Sequence, residues 1–491
     1  MQDYGSAKMS EEEQAKEMSQ AYWDLWNPDV QARIDEGIEQ NRKADGVFTL
    51  DDVAPGAVVE VEQVSHDFIF GAHIFNFNQL GSDECNQRYQ ALYGDLFNSA
   101  TIAFYWKVFE MEEGKPRFVG EARDTADFWN AVEEPKKQPH WRRPATDPVV
   151  DFCEKKGVRL HGHPLTWGNQ GWHIPDWLNE KLPEEYRSHG RYQANGASFK
   201  DMDAYFNQFT PAELEEMLPG FTKELNYQMV KRITDITQRY KDRIHSWDVV
   251  NESATDYGLG VMVPGDQICK SRYGLMPGDY DYWSFKLAEE ILPEAAKLNI
   301  NDYNLGDNYV NQVKTLQARG CKVDVVGAQL HMFKPEQCTA IAEGLKYHDP
   351  EELFETMDRL SQLNLPIHMS ELTITAPGGD LHGEAIQAVI ARNFYRLWFS
   401  VKHMMGITWW NVVDDCGAPG EPSVSGLFQR NMEPKLAYHA LNDLINKEWK
   451  TRTQVQASDE GTISFRGFRG RYRLTWTSPE GEAKTAEVEL S

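Results

Sequence analysis

Two glutamates, Glu252 and Glu371, carry the chemistry most readily read from this chain. Each closes a short apolar run. Trp247-Asp248-Val249-Val250-Asn251 leads into Glu252, and Pro366 to Ser370 leads into Glu371. Cleavage of a glycosidic bond needs one carboxylic acid to protonate the leaving oxygen. It also needs a second carboxylate, which attacks the anomeric carbon or activates a water. Polar and flat side chains at the ends of similar runs have roles around such a pair. Asn251 suits a sugar 2-hydroxyl, and His331 suits a hydrogen bond that orients Glu371. His163 and Lys107 suit other hydroxyls, and Trp167 and Trp410 suit the walls of a sugar site. His161-Gly162-His163 also has the spacing of a metal pair. No metal-binding carboxylate is evident beside it in the sequence, so metal chemistry is not expected.

Eight apolar runs recur along the chain: Phe68–Ala72, Ala100–Phe104, Val158–Gly162, Ser246–Asn251, Leu298–Tyr303, Val325–Leu330, Pro366–Ser370 and Gly406–Trp410. Helical stretches separate several of them. Leu225, Met229, Ile233, Ile236 and Tyr240 share one helical face just before the fourth run. Alternating strand and helix predicts a parallel sheet, and eight units predict a closed (β/α)8 barrel. The site of such a barrel lies at the C-terminal ends of its strands. His163, Asn251-Glu252, Asp302-Tyr303-Asn304, Gln329-Leu330-His331, Glu371 and Trp409-Trp410 all fall there.

The termini read differently. Residues 1–45 form a polar helical segment whose Tyr22, Trp23, Leu25 and Trp26 must dock on something. Residues 46–66 carry Val59 and Val61 alternating with Glu60 and Glu62. Residues 449–491 alternate again through Ile463, Phe465, Tyr472, Leu474 and Trp476. A run of hairpins that short is marginal alone. The two sets of strands are therefore expected to join into one small β-sandwich beside a barrel over 67–448.

Composition narrows the partners. The 491 residues carry a formal net charge of −26, which repels nucleic acid. Mean hydropathy is −0.60, and no apolar run is long enough to cross a membrane. The six cysteines, Cys85, Cys153, Cys269, Cys321, Cys338 and Cys416, form no CxxC pair and read as buried thiols with at most one disulfide among them. The expected partner is a neutral polysaccharide, met by a monomer. A secreted or periplasmic protein is expected for such a substrate, although the first residues show no leader pattern.

These residues together resemble glycoside hydrolase family 10, the endo-β-1,4-xylanases. Trp247 to Glu252 is similar to that family's acid/base motif, and Met369-Ser370-Glu371-Leu372 to its nucleophile motif. Gly162-His163-Pro164-Leu165-Thr166-Trp167 resembles its GH-x-L-x-W segment, and Asn301-Asp302-Tyr303-Asn304 its NDYN stretch. Gly327-Ala328-Gln329-Leu330-His331 resembles G-x-Q-x-H, and Pro434-Lys435 to Ala437-Tyr438 the closing PKPAY. The resemblance runs from about Phe68 to Leu444. It implies a (β/α)8 barrel, retention of anomeric configuration and no cofactor. It implies an acid/base role for Glu252 and a nucleophilic role for Glu371. Sugar-binding roles are implied for Lys107, His163, Trp167, Asn251, Gln329, His331 and Trp410.

The chain departs from the family pattern at several positions. The family's Glu-Asn pair is Ala103-Phe104 here, so Phe104 and Tyr105 are expected to line the sugar site in its place. The Asp two residues past the nucleophile is Thr373, and a second tryptophan is missing between Asp414 and Gly420. Two segments look extended. One is Glu133–Asp147, with Trp141. The other is Glu180–Gly220, with Tyr186, Tyr192, Tyr205 and Phe206. Loops at the mouth of a barrel cover substrate. The leading expectation is a retaining endo-xylanase. One alternative keeps the mechanism on a different or decorated β-glycan, and another is a catalytically silent glycan-binding protein.

Overall fold

The computed structural model describes residues 4–169, 171–187, 205–262, 264, 268–271 and 274–491. Eight parallel strands are β1 (Ile69–His73), β2 (Ser99–Ala103), β3 (Arg159–His163), β4 (Ser246–Asn251), β5 (Lys297–Asp302), β6 (Val325–Met332), β7 (Ile367–Ile374) and β8 (Met404–Trp409). Each pairs with the next, β8 pairs with β1, and the cylinder is closed. This is the (β/α)8 barrel expected from the sequence. Seven of its strands start and stop within two residues of the expected bounds.

β7 is the exception, and the reason is local. It continues three residues past Glu371 with every residue buried. The register against β6 slips between Ala328 and Gln329, so that Ser370 is skipped and Glu371 faces Gln329. An extra residue of this kind bends a strand and re-aims a side chain. Glu371 therefore projects from within β7 rather than from its end.

The helix Phe221–Tyr240 buries the anticipated face, including Leu225, Ile233, Ile236 and Tyr240. The helix Leu381–Ser400 is buried almost all round. A helix hydrophobic on every side must be covered on its outer face as well, and the N-terminal residues supply that cover. They form three helices rather than one: Glu11–Ala15, Gln20–Leu25 and Pro28–Arg42. Ser19 caps the second, and Asn27 followed by Pro28 starts the third, which breaks the continuous reading. Trp26 stacks on Phe394 at 6.0 Å, and Asn393 Nδ2 donates to the Tyr22 hydroxyl at 2.7 Å. Trp26→Ala is expected to cost about 3–5 kcal/mol in a chemical denaturation measurement, the usual range for a buried aromatic.

Strands from both termini do join. Arg452–Gln456, Val58–His66, Gly470–Thr477 and Ala483–Leu490 make a four-stranded antiparallel sheet, and Lys43–Thr49 pairs with Thr462–Phe468. Val59, Val61, Ile463, Phe465, Tyr472, Leu474 and Trp476 fill the small core between them. Phe468 leaves that core and packs on Phe399 of the barrel's last long helix at 6.0 Å. Cys85, Cys153, Cys321, Cys338 and Cys416 are free thiols. Among the described residues no helix is long and apolar enough to cross a membrane.

Candidate active site

A cleft of about 910 Å³ opens where the C-terminal ends of the strands converge, and both glutamates line it. Glu252 follows β4 in the left-handed region, at φ 54°. That conformation costs a non-glycine residue roughly 1–3 kcal/mol and persists only where neighbours enforce it. Here the Glu252 N–H donates to the Asn301 carbonyl at 2.7 Å, and Trp167 Nε1 donates to its Oε2 at 3.0 Å. Burial pushes the Glu252 carboxyl well above its ordinary range, and the negative charges of Glu371 and Asp302 push it further.

Glu371 is held by hydrogen bonds. Asn301 Nδ2 donates to its Oε1 at 2.8 Å, and Gln329 Nε2 to the same oxygen at 3.0 Å. His331 Nε2 lies 3.2 Å from Oε2. Both carboxyl oxygens thus have hydrogen-bond partners, which fix the direction of the side chain. Gly327 makes this possible, because a Cβ there would stand 2.4 Å from Asn301 Oδ1. Asn301 and Gln329 also donate to Asn251 Oδ1, at 2.9 and 3.2 Å. The Asn251 amide nitrogen is thereby the group left to meet a substrate hydroxyl. His331 Nδ1 pairs with Thr373 Oγ1 at 2.9 Å, so the residue standing where the family pattern has Asp still orients the imidazole.

His163 Nδ1 and His161 Nε2 both address Asp248 Oδ2, at 2.7 and 2.9 Å. Burial works against the Asp248 charge, but the two histidines outweigh it and hold the carboxyl below its usual range. Asp248 is thus the carboxylate beside the His161–His163 pair that the sequence did not reveal. The other nitrogen of His163 meets the Tyr105 hydroxyl at 3.1 Å and lies 3.7 Å from Glu371 Oε1.

Tyr105, His163, Trp167, Asn251, Gln329, His331 and Trp410 all line the cleft with the two glutamates. Two expected site residues do not. Phe104 is fully buried against Trp247, Tyr240 and Phe109, with ring centroids 5.2 to 5.6 Å away. Successive side chains leaving a strand point to opposite faces. Ala103 and Tyr105 therefore face the cleft, and Phe104 faces the helix layer. Lys107 sits one turn further on, in the helix Trp106–Phe109, with its Nζ 2.8 Å from Asp176. It is drawn to that carboxylate and does not line the cleft.

The extended segments also correct the sequence reading. Trp141 packs on Trp129 at 5.9 Å, away from the cleft. The residues of that segment which enter the cleft are Arg142 and Arg143. Phe206 is buried, with Tyr186 and Tyr205 against the core beside it, and Tyr192 lies outside the described residues. Where a second tryptophan was missing, Glu421 turns in and accepts from Trp410 Nε1 at 3.3 Å and Asn411 Nδ2 at 3.0 Å. Asp302 falls at the strand ends where the sequence places the site, but Asn301, Asp248, Glu421 and the arginine pair are not singled out there. The stretch Asn301–Asn304 is a visible signal for Asn301, whereas an isolated Glu421 offers none.

Known proteins are similar to this chain. The family model described as glycosyl hydrolase family 10 matches residues 70–444. An endo-1,4-beta-xylanase/feruloyl esterase of Xylanibacter ruminicola is 26% identical over 345 residues, covering 64% of this chain and 41% of that protein. The anti-sigma-I factor RsgI6 of Acetivibrio thermocellus is 25% identical over 461 residues, covering 92% of this chain and 47% of that protein. The chain thus spans less than half the length of either relative. Xylanase B from Clostridium stercorarium has the same fold, with a TM-score of 0.52 at 23% identity over 77% of this chain and 96% of its own.

Proposed function

The chain belongs to glycosyl hydrolase family 10, and on that premise we propose that it cleaves β-1,4-xylosidic bonds within xylan by double displacement. Glu252 is the acid/base and Glu371 the nucleophile. The observation that carries this is a pair of carboxyls lining one cleft in different surroundings. Burial and acidic neighbours push the Glu252 carboxyl well above its ordinary range, while Glu371 is fixed in place by Asn301, Gln329 and His331. A carboxyl pushed up by its surroundings is suited to the acid role.

In the first step a Glu371 oxygen attacks the anomeric carbon. The bond to the leaving sugar breaks, and the Glu252 proton passes to the departing oxygen. In the second step Glu252, now ionised, takes a proton from water. That water displaces Glu371 from the anomeric carbon, and the sugar leaves with its original configuration. Asn251 is suited to hold the 2-hydroxyl, a contact that strengthens as charge develops on the ring. Trp167 and Trp410 supply flat walls. Polymeric xylan does not cross membranes, so this reading carries export of the protein with it.

Release of reducing ends from linear xylan, arabinoxylan, glucuronoxylan and mixed-linkage glucan tests the substrate. Cleavage of the xylans is expected. Turnover of glucan alone would move the same mechanism to another β-glycan. A second reading, a silent glycan-binding protein, has one observation behind it: a relative named as an anti-sigma factor rather than an enzyme matches 92% of this chain. Binding of xylan without turnover would favour it.

The pH dependence follows from Glu252. Activity falls on the basic side as that group loses its proton. Asp302 contributes to the raised value, and burial lifts Asp302 itself to about 7 against the N–H groups of Ala254 and Asn304. Asp302→Asn removes one negative charge near Glu252, so the Glu252 carboxylate becomes easier to form. The basic limb of kcat/KM against pH is therefore expected to move to lower pH. An unmoved limb would contradict the coupling.

A further inference from the structure

Among the described residues, Arg143 is a cation of the cleft with no carboxylate within ion-pair distance, the Glu421 charge acting on it from further off. Its segment is pinned next door, where Arg142 has φ 61° and donates its N–H to Gln79 Oε1 at 2.7 Å. The Arg142 guanidinium is spoken for. Its Nη2 donates to Asn411 Oδ1 at 3.1 Å and lies 3.5 Å from Glu421. Glu421 is itself occupied by the Ala418 N–H at 2.7 Å and by the Trp410 and Asn411 side chains. Among the described residues no carboxylate is ion-paired with Arg143. Its Nη1 donates to the Arg142 carbonyl at 2.9 Å.

The Arg143 guanidinium carbon lies 3.8 Å from the centre of the Tyr105 ring and 5.0 Å from that of Phe75. Through Tyr105 and His163 it stands at the Glu371 end of the cleft. Burial lowers the group to about 10, which leaves it cationic at neutral pH. A largely buried charge without a hydrogen-bonded counter-ion is costly, and Glu421 acts on this one only from a distance. An anionic ligand would relieve that cost.

We propose that Arg143 receives the carboxylate of a uronic acid unit carried by the glycan in the cleft. The proposal rests on the reading of the chain as a glycan hydrolase. The planar guanidinium offers two parallel N–H donors to a carboxylate, and the Tyr105 ring beneath it holds its plane. The carboxylate comes from a branch on the glycan or from a uronate within its backbone, and the two differ in the ligand that reveals them.

The test is binding by the full chain carrying Glu252→Gln, so that no ligand is consumed. The first pair of ligands is xylotetraose with a glucuronic acid branch and its carboxyl-reduced twin. The second is methyl β-glucuronoside and methyl β-glucoside. At least about tenfold tighter binding of the acid in one pair is expected, as a charge-assisted bidentate contact provides. Preference in the first pair alone assigns a branch, and preference in the second assigns a backbone uronate. Adding Arg143→Gln should equalise the twins, and Arg143→Lys should keep a smaller preference. Equal affinity for acid and reduced twin in both pairs, or no affinity for any of the four, overturns the proposal without recourse to the Arg143 variants. Failure of the xylanase reading looks different: the wild-type chain then cleaves no xylan while the carboxylate preference persists.

Discussion

Glu252→Gln lowers kcat on xylan by about 100- to 10,000-fold and leaves substrate affinity nearly intact. That is the usual range for losing a positioned general acid or base. The amide keeps the shape of the side chain and an oxygen for the Trp167 Nε1 donor. What it loses is the proton that departs with the leaving oxygen, and the base that later activates water. The loss should therefore depend on the leaving group. An aryl xylobioside with an acidic phenol needs no protonation, so its first step should remain fast and a burst of phenol should precede slow turnover. Steady-state kinetics on both substrates checks this. A Glu252→Gln variant as fast as wild type on xylan would remove the acid role.

Glu371→Gln is expected to be more severe, with loss of at least about 10^5-fold, on the scale seen when a covalent nucleophile is removed. The contrast with Glu252 is diagnostic. No leaving group, however good, replaces an attacking oxygen, so the aryl glycoside should be as dead as the polymer and should show no burst. The amide also disturbs its neighbours. Asn301 Nδ2 and Gln329 Nε2 both donate to Glu371 Oε1, and an NH2 placed at that oxygen would face two donors. Binding of xylo-oligosaccharide with turnover absent separates this chemistry from a collapsed cleft.

Much of this arrangement was legible before any coordinates. Periodicity marked the eight strands because each is buried on both faces and reads as an apolar run. Their ends marked the site because a barrel has one functional mouth. What was not legible depends on geometry one residue at a time. Phe104 and Tyr105 are adjacent and both aromatic, and only strand phase decides that Tyr105 faces the cleft while Phe104 packs on Trp247. Lys107 is one helical turn further along, where Asp176, distant in sequence, captures it. The bulge in β7 that re-aims Glu371 leaves no mark in composition. The 133–147 segment showed its length and its tryptophan, yet the residues that reach the cleft are the two arginines beside that tryptophan. Loop residues follow no period, so their direction is set by contacts such as the one between Arg142 and Gln79.

The stereochemistry of the first product tests the pairing of Glu252 and Glu371 most directly. Proton NMR of xylo-oligosaccharide hydrolysis, recorded before mutarotation mixes the anomers, should show the β-anomer forming first. Appearance of the α-anomer first would mean that water, not Glu371, attacks the anomeric carbon.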